Sequence, residues 1–176
     1  MISLNPDQER ILNWRIDSGG VAGVIGPAGC GKTTTGSFLA VKMVCEGYAR
    51  KVLLVAFTNS AANEFCRELS IVLGSDTAKF LCIRSGYALG ADTNLPIPFS
   101  NNIEVVKTKK IVICTTQSLR RLSGSIKFDN IITRYSDVSS PSLHWSRVYF
   151  LTLFGLISIF FLKVLDSITN VVRLSL

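Results

Sequence analysis

Short, continuous apolar runs alternate along this chain with segments in which apolar residues return every three or four positions. VAGVI at 21–25 is brief and largely β-branched, and it runs straight into glycines. That pattern predicts a buried strand feeding a tight loop. KVLLVAFT at 51–58 is the kind of unbroken apolar run that a parallel strand covered on both faces requires. FLCIR at 80–84 and IVICTT at 111–116 supply two further strands. Between the strands, Phe38, Val41 and Cys45 predict a helix over 32–45. Ala62, Phe65, Cys66 and Leu69, opposite Glu64, Arg67 and Glu68, predict another over 59–70. A short helix over 5–17 follows from Ile11, Leu12, Trp14 and Ile16 among polar neighbours, with Asn5 as its cap. The Gly-, Pro- and Asn-rich stretch at 86–102 reads as an irregular loop. Strands alternating with helices predict an α/β sheet, and no internal repeat is visible.

The pattern changes after Asp129. Residues 136–142 contain Ser and Pro and read as turns, and Val148 to Leu162 runs fifteen residues without a charge before Lys163. Spanning a bilayer takes roughly 20 apolar residues. A buried or aggregation-prone helix is therefore expected at 148–162, with membrane anchoring as the alternative.

A length of 176 residues allows one domain with a real core plus a tail. The positive mean hydropathy of +0.37 traces to the C-terminal segment. Nineteen Lys and Arg against twelve Asp and Glu give a net charge of +7, which favours polyanions through the summed field. Only Lys107, Lys109, Lys110 and the pair Arg120, Arg121 come close together, so a solvated basic face remains an equal reading. The five cysteines are odd in number and widely spaced, and there is one histidine, His144. That composition argues against a zinc site or a disulfide framework. Cys45, Cys66, Cys82 and Cys114 sit among apolar residues and read as reduced core thiols, which points to a nuclear or cytoplasmic compartment. The opening MISLNPDQER has no basic segment followed by an apolar run, so no secretory signal is expected.

The chemistry is concentrated at Gly26-Pro27-Ala28-Gly29-Cys30-Gly31-Lys32-Thr33, which fits G-x-x-x-x-G-K-[ST] at every fixed position. Glycines let successive N–H groups turn onto one anionic group, and the following helix adds its positive end. Lys32 is expected to reach the β and γ phosphates of a nucleoside triphosphate, and the Thr33 hydroxyl to take a magnesium position. The contacts extend to Thr34. A glycine turn with a merely exposed lysine is the bland alternative, and the strand-loop-helix context argues against it. Cys30 fills a variable position and reads as incidental packing.

With LNPDQ at 4–8, GPAGCGKTTT at 26–35, VLLVAFTNSAANEF at 52–65 and VICTTQSL at 112–119, in this order, residues 3–132 resemble the superfamily-one DNA and RNA helicases of the RNA-surveillance and replication type. The resemblance implies ATP and Mg as cofactors, with Gln8 on the adenine edge. It also implies single-stranded DNA or RNA contacts at Thr58, Asn59, Thr115 and Thr116. Bland readings stand beside these: Gln8 as a surface side chain, Thr58 and Asn59 as helix caps, and Thr115 and Thr116 as ordinary strand residues. The implied fold is an incomplete RecA-like P-loop domain over 1–132 with a parallel sheet, followed by an atypical apolar tail over 133–176, helical or poorly ordered.

The departure from the family is sharp. After Phe128, Asp129, Asn130, Ile131 and Ile132 the family's Asp-Glu pair is due, and this chain gives Thr133, Arg134 and Tyr135. Neither Asp137 nor Asp166 directly follows an apolar strand. The second RecA-like domain is missing too. Hydrolysis needs a second hold on magnesium and a positioned water, so an ATP-binding helicase fragment deficient in hydrolysis and unwinding is expected. Its residues from about Thr133 onward would derive from a shifted or unspliced reading. Two alternatives are a non-enzymatic nucleotide- or single-strand-binding protein and a small P-loop kinase or GTPase. The GTPase form lacks N-K-x-D, and its D-x-x-G at 17–20 precedes the phosphate loop.

Overall fold

The computed structural model describes residues 4–13, 23–25, 29–86, 95–134 and 173–175. In chain order the elements are α1 (Pro6–Leu12), β1 (Gly23–Ile25), α2 (Lys32–Cys45), β2 (Val52–Ala56), α3 (Asn59–Leu73), α4 (Ser75–Leu81), β3 (Cys82–Arg84), α5 (Ile103–Thr108), β4 (Ile111–Thr115), α6 (Thr116–Ser123), β5 (Asn130–Arg134) and β6 (Arg173–Ser175). They divide into two units, residues 1–12 with 31–136 and residues 13–30 with 137–176.

The first unit is built on a four-stranded, wholly parallel sheet of order β3-β4-β2-β5. Alternation along each strand sends side chains into two cores. Val52, Leu54, Ala56, Ile111, Ile113 and Cys82 meet α2, α3 and α4 through Ala40, Val44, Phe65, Leu69 and Ala78. Leu53, Val55, Ile83, Val112 and Cys114 meet α5 and α6 through Val106 and Leu122. Burial on both faces is why β2 and β4 are apolar at nearly every position. The predicted α/β parallel sheet is therefore the fold observed.

Strand β5 differs, because its exposures alternate. Ile132 packs against the α2/α3 core while Ile131 stays 40% exposed, as befits an edge strand with one covered face. Asp129 fixes its start: Oδ2 accepts from the amides of Arg50 (2.7 Å) and Lys51 (2.9 Å) at the head of β2. Lys51 in turn donates its ammonium to the carbonyls of Lys107 (2.5 Å) and Lys109 (2.6 Å), closing the end of α5. Burial pushes the Lys51 pKa down, and the Asp129 charge opposes that.

Several expectations shift at the level of elements. Phe80 and Leu81 close α4 instead of opening a strand, and Thr116 opens α6 instead of ending β4. Helix α5 directly follows the loop expected at 86–102. Helix α3 carries the expected face, with Ala62, Phe65, Cys66 and Leu69 all buried. Helix α2 keeps its expected bounds but buries Thr33, Ser37, Ala40 and Val44. Small residues on that stripe let α2 approach α3 and the sheet closely, so Phe38 is only half-buried and Cys45 is exposed rather than a core thiol. Helix α1 ends at Leu12, and the expected extension through Trp14 and Ile16 lies outside the described residues.

In the second unit β1 pairs in parallel with β6, Gly23 opposite Arg173 and Ile25 opposite Ser175. The helix expected at 148–162 lies outside the described residues. Among the described residues no helix is long and apolar enough to cross a membrane.

Candidate functional site

The start of α2 is the first point of interest. Asn5 caps α1 as expected and does so reciprocally: the Gln8 amide donates to Asn5 Oδ1 at 2.8 Å, and the Asn5 amide donates to Gln8 Oε1 at 2.9 Å. This is a capping box, satisfying two helix-end donors at once. Gln8 is thereby buried, with its oxygen engaged inside the protein and its amide nitrogen close against Gly31. Gly31, at φ 82° and ψ 22°, stands at the N-cap of α2, and its carbonyl accepts from the Thr35 amide (2.8 Å) and hydroxyl (2.9 Å). The left-handed conformation suits glycine. Lys32, Thr33 and Thr34 form the first turn, Thr33 buried and the other two half-buried. That turn leaves backbone N–H groups without intrahelical acceptors, and these suit an anion. Gly29, in the second unit, also has a positive φ of 79°. Cys30 beside it is half-buried and reduced. Gly26, Pro27 and Ala28 lie outside the described residues.

A second cluster gathers at the carboxyl ends of the strands, where ligands of open parallel sheets bind. Strands β2 and β4 are neighbours with Ala56 opposite Thr115, so Thr58, Asn59, Thr115 and Thr116 stand at adjacent strand ends. Thr58 caps α3 by accepting from the Ala61 amide at 3.1 Å. Asn59 Oδ1 accepts from Arg84 Nη2 at 2.8 Å. Thr115 is buried with its hydroxyl 3.2 Å from that of Ser118, while Thr116 is exposed.

Sequence reasoning missed several residues here. Phe57 follows β2 and is 50% exposed, a large apolar ring beside the polar strand ends. Arg84 ends β3 only 2% exposed. Its guanidinium donates to the Ser85 carbonyl and to Asn59, while Nε has no hydrogen-bond partner among the described residues. Burial pushes the Arg84 pKa down, opposed by the nearby Cys66 and Cys114. Burial likewise pushes the thiols of Cys66, Cys82 and Cys114 up to about 12. The signal available was an arginine closing an apolar strand run. A charge at such a position is seldom buried without a partner.

The third feature is the end of β5. Arg134 faces α3 and donates to Glu64 Oε2 at 2.6 Å, so a guanidinium stands at the strand end and Glu64 is engaged by it. Thr133 before it is exposed, and Tyr135 lies outside the described residues.

Residues 3–113 match the family model of the AAA domain. No curated protein and no solved structure matches the chain.

Proposed function

Because the chain belongs to the AAA domain family, whose P-loop NTPase-like fold implies nucleotide binding, we propose that it binds ATP with magnesium as the first part of a superfamily-one helicase ATP-binding domain and turns it over poorly. The observation that carries this reading is the junction at Gly31, where a left-handed glycine passes into Lys32 and Thr33 at the head of a 14-residue helix with Gln8 packed against it. Such a junction fits a triphosphate: amides for the phosphate oxygens, an ammonium for the β and γ groups, and a hydroxyl for the metal. When bound, magnesium would neutralise charge on the phosphates. In this chain Thr33 is the side chain offered to it. Gln8, whose Oε1 accepts from the Asn5 amide, is the side chain offered to the adenine edge.

Weak turnover follows from the end of β5. A carboxylate there would hold the metal's other side and orient a water, and this chain has Arg134 bound to Glu64. The same arrangement favours a second reading, a non-enzymatic protein that binds nucleotide and a single strand. Single-strand contact would use Thr58, Asn59, Thr115 and Thr116 at the strand ends, with Phe57 as a surface on which a base could stack.

The test is a titration with a fluorescent ATP analogue and magnesium, alongside a phosphate-release assay. Saturable binding with release at background supports the reading. Steady turnover would overturn the hydrolysis deficiency, and no binding by folded protein would overturn the whole assignment.

A further inference from the structure

Strand β5 brings a cation to the level of the head of α2. Exposure alternates along it, so Asn130, Ile132 and Arg134 share the covered face while Ile131 and Thr133 are exposed. On the covered face Ile132 meets α2 and α3 together: a Cβ placed on Gly36 would stand 3.6 Å from Ile132 Cγ2 and 3.4 Å from Phe65 Cε1. Gly36 thus marks the point where β5, α2 and α3 close on one another.

The direction of α2 follows from the chain path. Cys45 ends α2 and only residues 46–51 separate it from Val52 at the start of β2, so α2 runs back against the strands. Its first turn therefore lies toward their carboxyl ends, and β5 is parallel to β2. From Gly36 back to Thr33 is about 4.5 Å of helix, and from Ile132 on to Arg134 is about 6.6 Å of strand. Arg134 consequently stands at the level of Lys32 and Thr33.

The charge at this point is reversed from what a divalent cation needs. Among the described residues Arg134 has one partner, Glu64, whose Oε2 accepts from Nη1 at 2.6 Å. That bond engages one nitrogen of the guanidinium fork, and 22% of the side chain stays exposed, so further donors remain for another acceptor. Among the described residues no cluster of acidic, His or Cys side chains is suited to hold a metal ion. A guanidinium repels magnesium and attracts phosphate oxygens. The residues at the head of α2 therefore fit the phosphates better than they fit the metal.

We infer that Arg134 takes magnesium's place as the cation steadying the outer phosphates, so that the site holds a metal-free nucleoside triphosphate at least as tightly as its magnesium complex. This rests on the nucleotide reading proposed above and concerns only the metal's share in it. A metal-free triphosphate is more negative than its magnesium complex, so a second fixed cation favours it. With a carboxylate at the strand end the preference would run the other way, because a metal is then needed between two anions. Glu64 orients the guanidinium and also tempers it, since its carboxylate competes with phosphate for the same charge.

The experiment is titration of the full chain with a fluorescent ATP analogue, once in excess magnesium and once in EDTA. Wild type is expected to bind in both, with equal or higher affinity in EDTA. Arg134→Gln is expected to weaken binding in EDTA by about tenfold, the share of one hydrogen bond to a charged group, and to weaken it far less in magnesium. Arg134→Lys, which keeps the charge, should restore most of the loss. A side chain that only supported the fold would weaken both titrations alike. Glu64→Gln removes the competing carboxylate and is expected to strengthen binding in EDTA. Thermal unfolding without nucleotide checks each variant, and should Arg134→Gln not fold, unchanged or weaker binding by Glu64→Gln in EDTA overturns the inference. Wild type that binds only with magnesium overturns it too and leaves the nucleotide reading standing, as does a folded Arg134→Gln that binds in EDTA like wild type. If folded wild type binds in neither condition, the nucleotide reading falls and this inference with it.

Discussion

The side-chain amide nitrogen of Gln8 sits against Gly31, so close that a Cβ on that glycine would force the Gln8 side chain to move. Two segments far apart in sequence, the capped start of α1 and the N-cap of α2, are thereby locked at the point where the phosphate-binding pattern meets its helix.

Replacing Gly31 with alanine meets two obstacles, the contact with Gln8 and a left-handed φ of 82°. The conformation alone costs about 1–2 kcal/mol. Urea unfolding of Gly31→Ala is expected to show at least that loss. The double variant with Gln8→Ala is expected to lose less than the sum of the singles, because the clash is relieved once. Additive losses would mean that the contact does not constrain the junction.

Much of this arrangement was legible in the sequence, and the reason is that it is local. The buried strands β2 and β4 are continuous apolar runs, α3 has a clean apolar stripe, and the bounds of α2 follow from the phosphate pattern. What escaped depends on tertiary context. Helices α4, α5 and α6, of seven, six and eight residues, are too short for periodicity to declare them. The buried stripe of α2 is made of Thr33, Ser37, Ala40 and Val44, so a search for large apolar residues picks out Phe38 and Cys45 instead. Arg84 is hidden for the opposite reason. It ends an apolar run, and only the pairing of 98–100 beside β3 reveals a buried guanidinium with Arg121 nearby.

Alkaline stability reports on the buried thiols. Cys66, Cys82 and Cys114 have pKa values pushed up to about 12 by burial, against an ordinary 9.0. Above pH 9 the unfolded chain releases these protons while the folded chain keeps them. Stability is therefore fully present below about pH 9 and is lost as pH rises toward 12, at up to about 1.4 kcal/mol per pH unit for each thiol. Lys51, held below its ordinary value, acts with the opposite sign, and being only half-buried it acts weakly. Urea midpoints measured across this window are expected to fall, and less steeply in Cys114→Ala. A flat profile would contradict the burial of the three thiols.

Phe57 is expected to matter to single-strand binding and little to folding, because half of it is exposed in the free protein. A base stacked on it would contribute about 1–3 kcal/mol. Anisotropy titration of Phe57→Ala should show a corresponding loss of oligonucleotide affinity with an unchanged salt slope. Equal affinity would remove Phe57 from the interface.

Nucleotide binding at the head of α2 depends, in the function proposed above, on Lys32. Thermal unfolding with and without Mg-ATP, in wild type and in Lys32→Ala, tests it most directly. At about a hundredfold excess over its dissociation constant the nucleotide should stabilise wild type by roughly 2.7 kcal/mol, and the lysine variant should lose most of that gain. An equal shift in both proteins would remove Lys32 from the nucleotide site, and none in well-folded wild type would mean that the head of α2 holds no nucleotide.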